Sequence, residues 1–205
     1  MTIKAIVFDI GGVLEITPDL GVNEKWEKRL HFQPGELNQR ARKVWHEGGI
    51  GLMSLEEVHT NLGELLEISR EQVDEFMEDV WVEYLGALNV ELAEYFRSLR
   101  PRFQTAILSN SFVGAREREQ EAYHFDEMCD FILYSHEVGM QKPDPGIYAL
   151  TCERLGLQPS EVIFLDDREG AVDPACEFGI HGILFKDNAQ AIAEIEFCIQ
   201  ANASD

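Results

Sequence analysis

Short apolar runs alternate with amphipathic stretches over most of the chain, and this alternation predicts its secondary structure. The first run, residues 3–8, is partly β-branched and ends at an aspartate and two glycines, which is typical of a buried strand entering a tight loop. Similar runs predict further strands at 103–108, 131–134, 162–165 and 182–185. Stretches of helical periodicity predict helices at 90–99, 113–122, 146–155, 170–178 and 188–199. Strands that alternate with helices predict an α/β fold, a doubly wound parallel sheet covered on both faces.

The segment between residues 16 and 88 lacks this alternation. It shows helix-start signals instead: Pro34 before a stretch ending at Trp45, Ser54 with a glutamate three residues later, and Ser69 with a glutamine three residues later. Apolar residues at 73, 76, 77, 80, 81 and 84 fall at helical spacing and indicate one packed face. We therefore predict a core domain of residues 1–15 and 89–205, with residues 16–88 inserted as an all-helical cap over the carboxyl ends of the strands.

Charge and composition restrict the partners. The 205 residues carry 17 Lys+Arg against 38 Asp+Glu, a formal net charge of −21, which argues against binding to nucleic acid or to an anionic membrane surface. No run approaches the ~20 apolar residues of a membrane span, and no signal peptide is recognisable, so the expected location is cytoplasmic. The 4 cysteines lack metal-ligand spacing, and most of them are predicted to pack in the core.

Polar residues follow several of the predicted strands. Asp9 follows the first strand, Ser109-Asn110 the second, and Asp166-Asp167 the fourth. Because the carboxyl ends of parallel strands meet in one crevice, these side chains are expected to converge. Aspartate can act as a nucleophile on phosphorus, and two acidic clusters suit a Mg²⁺ ion, which prefers oxygen ligands. Asp9 alone could equally be a helix or turn cap, and Asp166-Asp167 could form a surface turn, although the apolar run directly before them favours burial.

Groups suited to a phosphoryl anion accompany these acids. Ser109-Asn110 offers a hydroxyl and amides, most effectively if a helix begins just behind it, although an ordinary helix cap is the alternative. Lys142 precedes Pro143-Asp144-Pro145 and could supply a point charge to phosphate, although an isolated lysine is more often a surface residue. All of these segments in one order, each behind or near a strand, predict a phosphoryl-transfer site.

In these motifs the sequence resembles the haloacid dehalogenase superfamily of hydrolases. The matching segments are residues 7–11, 108–110, 142–143 and 164–167. Their residues look most similar to those of the branch that holds a bacterial sugar-1-phosphate phosphatase and the phosphatase domain of epoxide hydrolase. The resemblance implies that Asp9 is the nucleophile and, with the Gly11 carbonyl and Asp167, a Mg²⁺ ligand. It also implies that Asp166 lies just outside the metal ligands, and that the phosphoryl group is held by Ser109, Asn110 and Lys142.

One position departs from the family pattern. Many phosphatases of the family have a general acid–base aspartate two residues after the nucleophile, where this chain has Gly11. General acid–base catalysis contributes about 10²–10⁴ in rate, so another group must replace it, the leaving group must be undemanding, or the enzyme must be slow. Glu15 and His46 are candidate replacements by position alone, and His46 is better interpreted as a surface residue.

Together these features predict a Mg²⁺-dependent phosphomonoester hydrolase for a small phosphorylated metabolite, with a sugar phosphate as one candidate, acting through an aspartyl-phosphate. Two alternatives stay open. A metal-independent 2-haloacid dehalogenase would use Asp9 on carbon, but would gain nothing from the additional anions of Asp166-Asp167. A weakly active or regulatory binding protein would explain Gly11. Monomer and homodimer are equally compatible with the sequence.

Overall fold

The computed structural model describes residues 2–202 and contains a five-stranded sheet and a separate two-stranded one. The strands are β1 (Ala5–Phe8), β2 (Glu15–Ile16), β3 (Ala87–Leu88), β4 (Gln104–Ser109), β5 (Phe131–Tyr134), β6 (Val162–Asp166) and β7 (His181–Leu184). The helices are α1 (Val22–Leu30), α2 (Glu36–Gly49), α3 (Leu55–Leu66), α4 (Arg70–Leu85), α5 (Val90–Ser98), α6 (Ala115–Tyr123), α7 (Ser135–Val138), α8 (Pro145–Leu155), α9 (Glu169–Phe178) and α10 (Asn188–Ala201). Short 3₁₀ turns cover Phe125–Glu127 and Pro159–Glu161.

The large sheet has the order β5-β4-β1-β6-β7, and every neighbouring pair is parallel. Alternate residues of the central strand β1 enter different hydrophobic clusters: Ile6 and Phe8 join one, Ala5 and Val7 the other. Because successive strand side chains point to opposite faces, a strand that is apolar throughout needs cover on both sides. This confirms the predicted doubly wound α/β fold.

Helices α1–α4 lie between β2 and β3 and share a third hydrophobic cluster, in which Trp26 packs edge-on against Phe76. The predicted start signals of α3 and α4 are both complete capping boxes, formed by Ser54 with Glu57 and by Ser69 with Gln72. The structure thus contains helices where the sequence indicated them in this segment.

Three features of this segment differ from the sequence prediction. Helix α1 was missed, because it begins after Gly21, which supplies no side-chain cap. Helix α2 begins at Glu36 after Gly35, not at Pro34, and runs on to Gly49. Strands β2 and β3 pair antiparallel where the chain enters and leaves the helical segment, and a two-residue strand is too short to show periodicity.

The helical segment also contacts the α/β part directly. The Val113 amide donates to the Gly48 carbonyl oxygen at 3.2 Å, and the Ser135 hydroxyl donates to the Gly49 carbonyl oxygen at 2.7 Å. Ala115 of α6 is buried in the hydrophobic cluster of the helical segment. These contacts hold α2 against the region that follows β4. None of the helices within residues 2–202 has the length and apolar character needed to cross a membrane.

Candidate active site

Asp9 lies directly after β1, at the centre of the carboxyl edge of the sheet. Its amide donates to the Leu165 carbonyl oxygen of β6 at 2.9 Å, which ties the start of the loop to the neighbouring strand. Only 6% of the residue is exposed. Burial raises the pKa of its carboxyl group to about 7; Lys142 opposes the rise and the nearby Asp166 adds to it.

Lys142 joins the acidic residues of two strands. Its Nζ lies 2.8 Å from Asp9 Oδ1, 2.5 Å from Asp166 Oδ2 and 3.0 Å from the Leu108 carbonyl oxygen. An ammonium group has three protons, so these contacts occupy all of its donors. Burial opposes the charge on Lys142, but the Asp9 and Asp166 carboxylates outweigh this effect and raise its pKa. The lysine is therefore charged and held at the base of the site.

The adjacent residues Asp166 and Asp167 have different surroundings. Asp166 is fully buried, and both of its carboxylate oxygens are used: Oδ2 by Lys142, and Oδ1 by the Arg168 amide at 2.9 Å. Asp167 is exposed, and burial together with the charge of Asp166 raises its pKa. Asp166 thus positions its neighbours, whereas Asp167 presents its carboxylate to the site.

The carboxylates fit a hard divalent cation. Asp9, Asp166 and Asp167 each place one oxygen so that all three atoms lie within 4.8 Å of one another. Magnesium takes oxygen ligands and usually needs only one or two carboxylates from the protein. Because Asp166 is fully buried and both of its oxygens accept hydrogen bonds, Asp9 and Asp167, which line the cavity, are better placed to hold such an ion. Gly11, predicted to contribute its carbonyl, lines the same cavity.

Ser109, the last residue of β4, and Asn110, the residue after it, differ in their access to the cavity. Asn110 lines the cavity and clamps the lysine backbone: its Oδ1 accepts from the Lys142 amide at 2.7 Å, and its Nδ2 donates to the Lys142 carbonyl at 2.8 Å. Ser109 is the last residue of β4, is buried, and does not line the cavity. Helix α6, which the sequence predicted from residue 113, begins at Ala115, so several residues separate its first turn from Ser109 and Asn110.

A cavity of about 570 Å³ opens at this edge of the sheet. Its lining comprises Asp9, Gly11, Gly12, Thr17, Asn110, Lys142, Pro143, Asp167, Arg168, Gly170 and Ala171. Gly12 has a φ of +74°, and a Cβ there would overlap the Asp167 carboxylate, so this position requires glycine. At Gly11, by contrast, a Cβ would meet no atom within 4 Å.

The two candidate replacements for the missing acid do not line this cavity. Glu15 is buried, its Oε1 has no hydrogen-bond partner among the described residues, and burial, with Glu119 and Asp9, raises its pKa to about 10. His46 is exposed in the last turn of α2, as the surface interpretation predicted. The sequence analysis missed Thr17 and Arg168; the position of Arg168, directly after the paired aspartates, was the one available signal.

Comparison with known proteins identifies the family. Residues 3–174 match the family described as haloacid dehalogenase-like hydrolase. The chain belongs to this hydrolase family. Family membership accounts for the parallel sheet and for the order of the strand-end motifs.

Relatives of this hydrolase include proteins of very different length. Bifunctional epoxide hydrolase 2 of Sus scrofa is 27% identical over 221 residues; the match covers 96% of this chain but 39% of that protein, so the chain spans well under half of its length. D-ribitol-5-phosphate phosphatase of Bacteroides thetaiotaomicron is 26% identical over 189 residues, covering 86% of this chain and 89% of the relative.

A solved structure supports the fold of this family member. A haloacid dehalogenase family enzyme from Bacteroides thetaiotaomicron, crystallised with magnesium and inorganic phosphate, superposes with a TM-score of 0.78 at 23% identity. The alignment covers 93% of this chain and 98% of that structure. The helical segment and the sheet are therefore both within the aligned region.

Proposed function

We propose that this hydrolase is a Mg²⁺-dependent phosphatase that cleaves the phosphate ester of a small metabolite through an aspartyl-phosphate on Asp9. The observation that carries the proposal is the cavity at the carboxyl edge of the sheet, where a buried carboxylate held by Lys142 lies beside a second, exposed carboxylate. A general-purpose binding pocket has no need for a buried lysine bridging two aspartates. A phosphoryl-transfer site needs a fixed nucleophile and a place for a cation.

The proposed metal ligands are Asp9, Asp167 and the carbonyl of Gly11. A bound Mg²⁺ would offset the charge of the phosphoryl oxygens and of the surrounding carboxylates. Lys142 fixes the orientation of Asp9 through Oδ1, so the carboxylate has no rotational freedom to lose before attack. Asn110 fixes the backbone of that lysine and lies on the cavity wall, where its amide can contact a phosphoryl oxygen.

In the proposed reaction, an Asp9 oxygen forms a bond to phosphorus while the bond from phosphorus to the ester oxygen breaks. The departing alcohol takes up a proton, and water then hydrolyses the aspartyl-phosphate to release inorganic phosphate and restore Asp9. Ser109, buried at the end of β4, anchors the loop that begins at Asn110. Helices α1–α4 act as a cap over the cavity. Thr17, which directly follows β2, lines the cavity where the chain enters this helical segment.

The relatives support this reaction and a small substrate. The D-ribitol-5-phosphate phosphatase aligns over nearly its whole length, and the Bacteroides enzyme was crystallised with magnesium and inorganic phosphate. A cavity of about 570 Å³ has room for a phosphoryl group and a leaving group of a few carbon atoms. Phosphorylated sugars and polyols are therefore the first substrates to screen.

The test is hydrolysis of an aryl phosphate ester with and without Mg²⁺. Asp9→Asn should abolish turnover, since an amide is a poor nucleophile, whereas Asp126→Asn, an equal change at an exposed position, should not. Beryllium fluoride should bind the wild-type protein and not Asp9→Asn. Chloride release from a 2-haloacid without metal would favour the dehalogenase alternative. Binding of phosphate esters without turnover of either substrate would favour a regulatory protein.

A further inference from the structure

Two basic side chains line the cavity among the residues that the structure describes, Lys142 and Arg168. Lys142 is committed to Asp9, Asp166 and a backbone carbonyl. The Arg168 guanidinium makes no hydrogen bond or ion pair with any described residue. Among the described lining residues, Arg168 is therefore the one lysine or arginine whose charged group has no hydrogen-bond or ion-pair partner, although its charge opposes the rise in the pKa of the neighbouring Asp167 carboxyl group.

The position of Arg168 is fixed although its side chain is free. Its amide donates to Asp166 Oδ1 at 2.9 Å, and it is the N-cap residue of α9. Asp9 and Lys142 are each 6% exposed and form the floor of the cavity, whereas Arg168 and Thr17 are exposed and form its rim. A phosphoryl group attacked by Asp9 occupies the floor, so the remainder of the substrate extends towards the rim.

The charge of the whole protein makes a cation at this rim significant. A net charge of −21 repels anionic ligands, and this repulsion grows with each negative charge on the ligand. A free guanidinium at the cavity mouth reverses the field locally and offers a planar pair of donors, which matches a carboxylate or a phosphate. Substrates with a charge only on the phosphoryl group would leave this donor pair unused.

We propose that Arg168 is a specificity-determining residue that selects substrates with a second anionic group on the leaving alcohol, such as a phosphorylated hydroxy acid. This inference rests on the proposed phosphatase function, because the orientation of the substrate follows from attack by Asp9. The preferred substrates are then phosphate esters whose alcohol part carries a negative charge of its own, in place of the uncharged alcohol part of a sugar or polyol phosphate.

The test uses two esters that differ in one group: 3-phosphoglycerate, which has a carboxylate, and glycerol 3-phosphate, which has a hydroxymethyl group instead. Arg168→Gln should lower the ratio of their kcat/KM values by about 10–100-fold, as expected for loss of a charged hydrogen-bond pair, mainly through KM for 3-phosphoglycerate. Arg168→Lys should retain part of the ratio. Arg154→Gln, which removes the same charge from an exposed position outside the cavity, should leave the ratio unchanged.

A binding measurement separates this inference from the proposed function. Calorimetric titration of both esters into Asp9→Asn, with and without Arg168→Gln, reports their affinities without turnover. If the wild-type protein hydrolyses neither these esters nor the aryl phosphate in the presence of Mg²⁺, the proposed function fails, but the ratio of dissociation constants still tests Arg168. An equal loss of affinity for both esters in Arg168→Gln would mean that Arg168 contacts the phosphoryl group, and would overturn the inference. Unchanged affinity for both esters, or no binding of either ester, would overturn it as well.

Discussion

Restoring a carboxyl group at position 11 is the most direct test of how this enzyme works without the usual acid. In Gly11→Asp, a Cβ would meet no atom within 4 Å, so the first atom of the new side chain fits without a shift of its neighbours. Gly11 also lines the same cavity as Asp9, so the new side chain would stand in the proposed active site. We expect the variant to fold normally and to gain a proton donor.

The size of the effect follows from the charges already present. At a separation of about 6 Å and an effective dielectric constant of about 20, two carboxylates repel each other by about 3 kcal/mol. This repulsion raises the pKa of the introduced carboxyl group, so that it retains a proton closer to neutral pH, whereas a bound Mg²⁺ would oppose the rise. General acid–base catalysis then adds about 10²-fold for an alkyl phosphate, towards the lower end of its usual range, because the same repulsion weakens the approach of the substrate.

The assay is kcat/KM for a series of phosphate esters whose leaving alcohols span a wide range of acidity. Gly11→Asp should accelerate the alkyl esters and hardly change the aryl esters, which need no proton, so the dependence on leaving-group pKa becomes shallower. Gly11→Asn has the same shape without an acidic proton and should show no gain. Equal changes across the series, or an equal gain in Gly11→Asn, would refute the interpretation that Gly11 lacks a catalytic acid.

Three further changes test the metal site, the contact of the helical segment and a buried acid. Asp167→Asn should raise the Mg²⁺ concentration needed for half-maximal activity at least tenfold without changing the thermal unfolding midpoint; an unchanged requirement would remove Asp167 from the metal site. Gly51→Ala should lower the free energy of unfolding in urea by about 1–3 kcal/mol, because Gly51 has a φ of +70° and a Cβ would overlap the His136 carbonyl. Burial raises the pKa of Glu119 from 4.5 to about 7, so the folded state binds its proton more tightly, and this contribution to stability is lost as the pH rises through 7. Glu119→Gln, which can still accept a hydrogen bond from the Tyr134 hydroxyl, should flatten the decline in stability between about pH 4.5 and pH 7, and an unchanged slope would contradict the shift.

Strongly periodic features of the sequence could be interpreted correctly without a structure. The apolar run of β1 and the capping boxes at Ser54 and Ser69 are local signals, decided by residues a few positions apart. Helix α1 and the short strands β2 and β3 gave no such signal, because their stability comes from packing and from pairing between residues far apart in the chain.

The sequence by itself determined which chemical groups gather at the carboxyl edge of the sheet, since parallel strands place their ends together. Only the tertiary structure decided how these groups divide their roles. Asp166 and Asp167 are identical in residue type, and only a family resemblance suggested different roles for them; in the structure one is buried against Lys142 and the other faces the cavity, because consecutive side chains leave a strand in opposite directions. The free guanidinium of Arg168 at the rim is likewise invisible in the sequence, because whether a charge is paired depends on what the fold brings beside it.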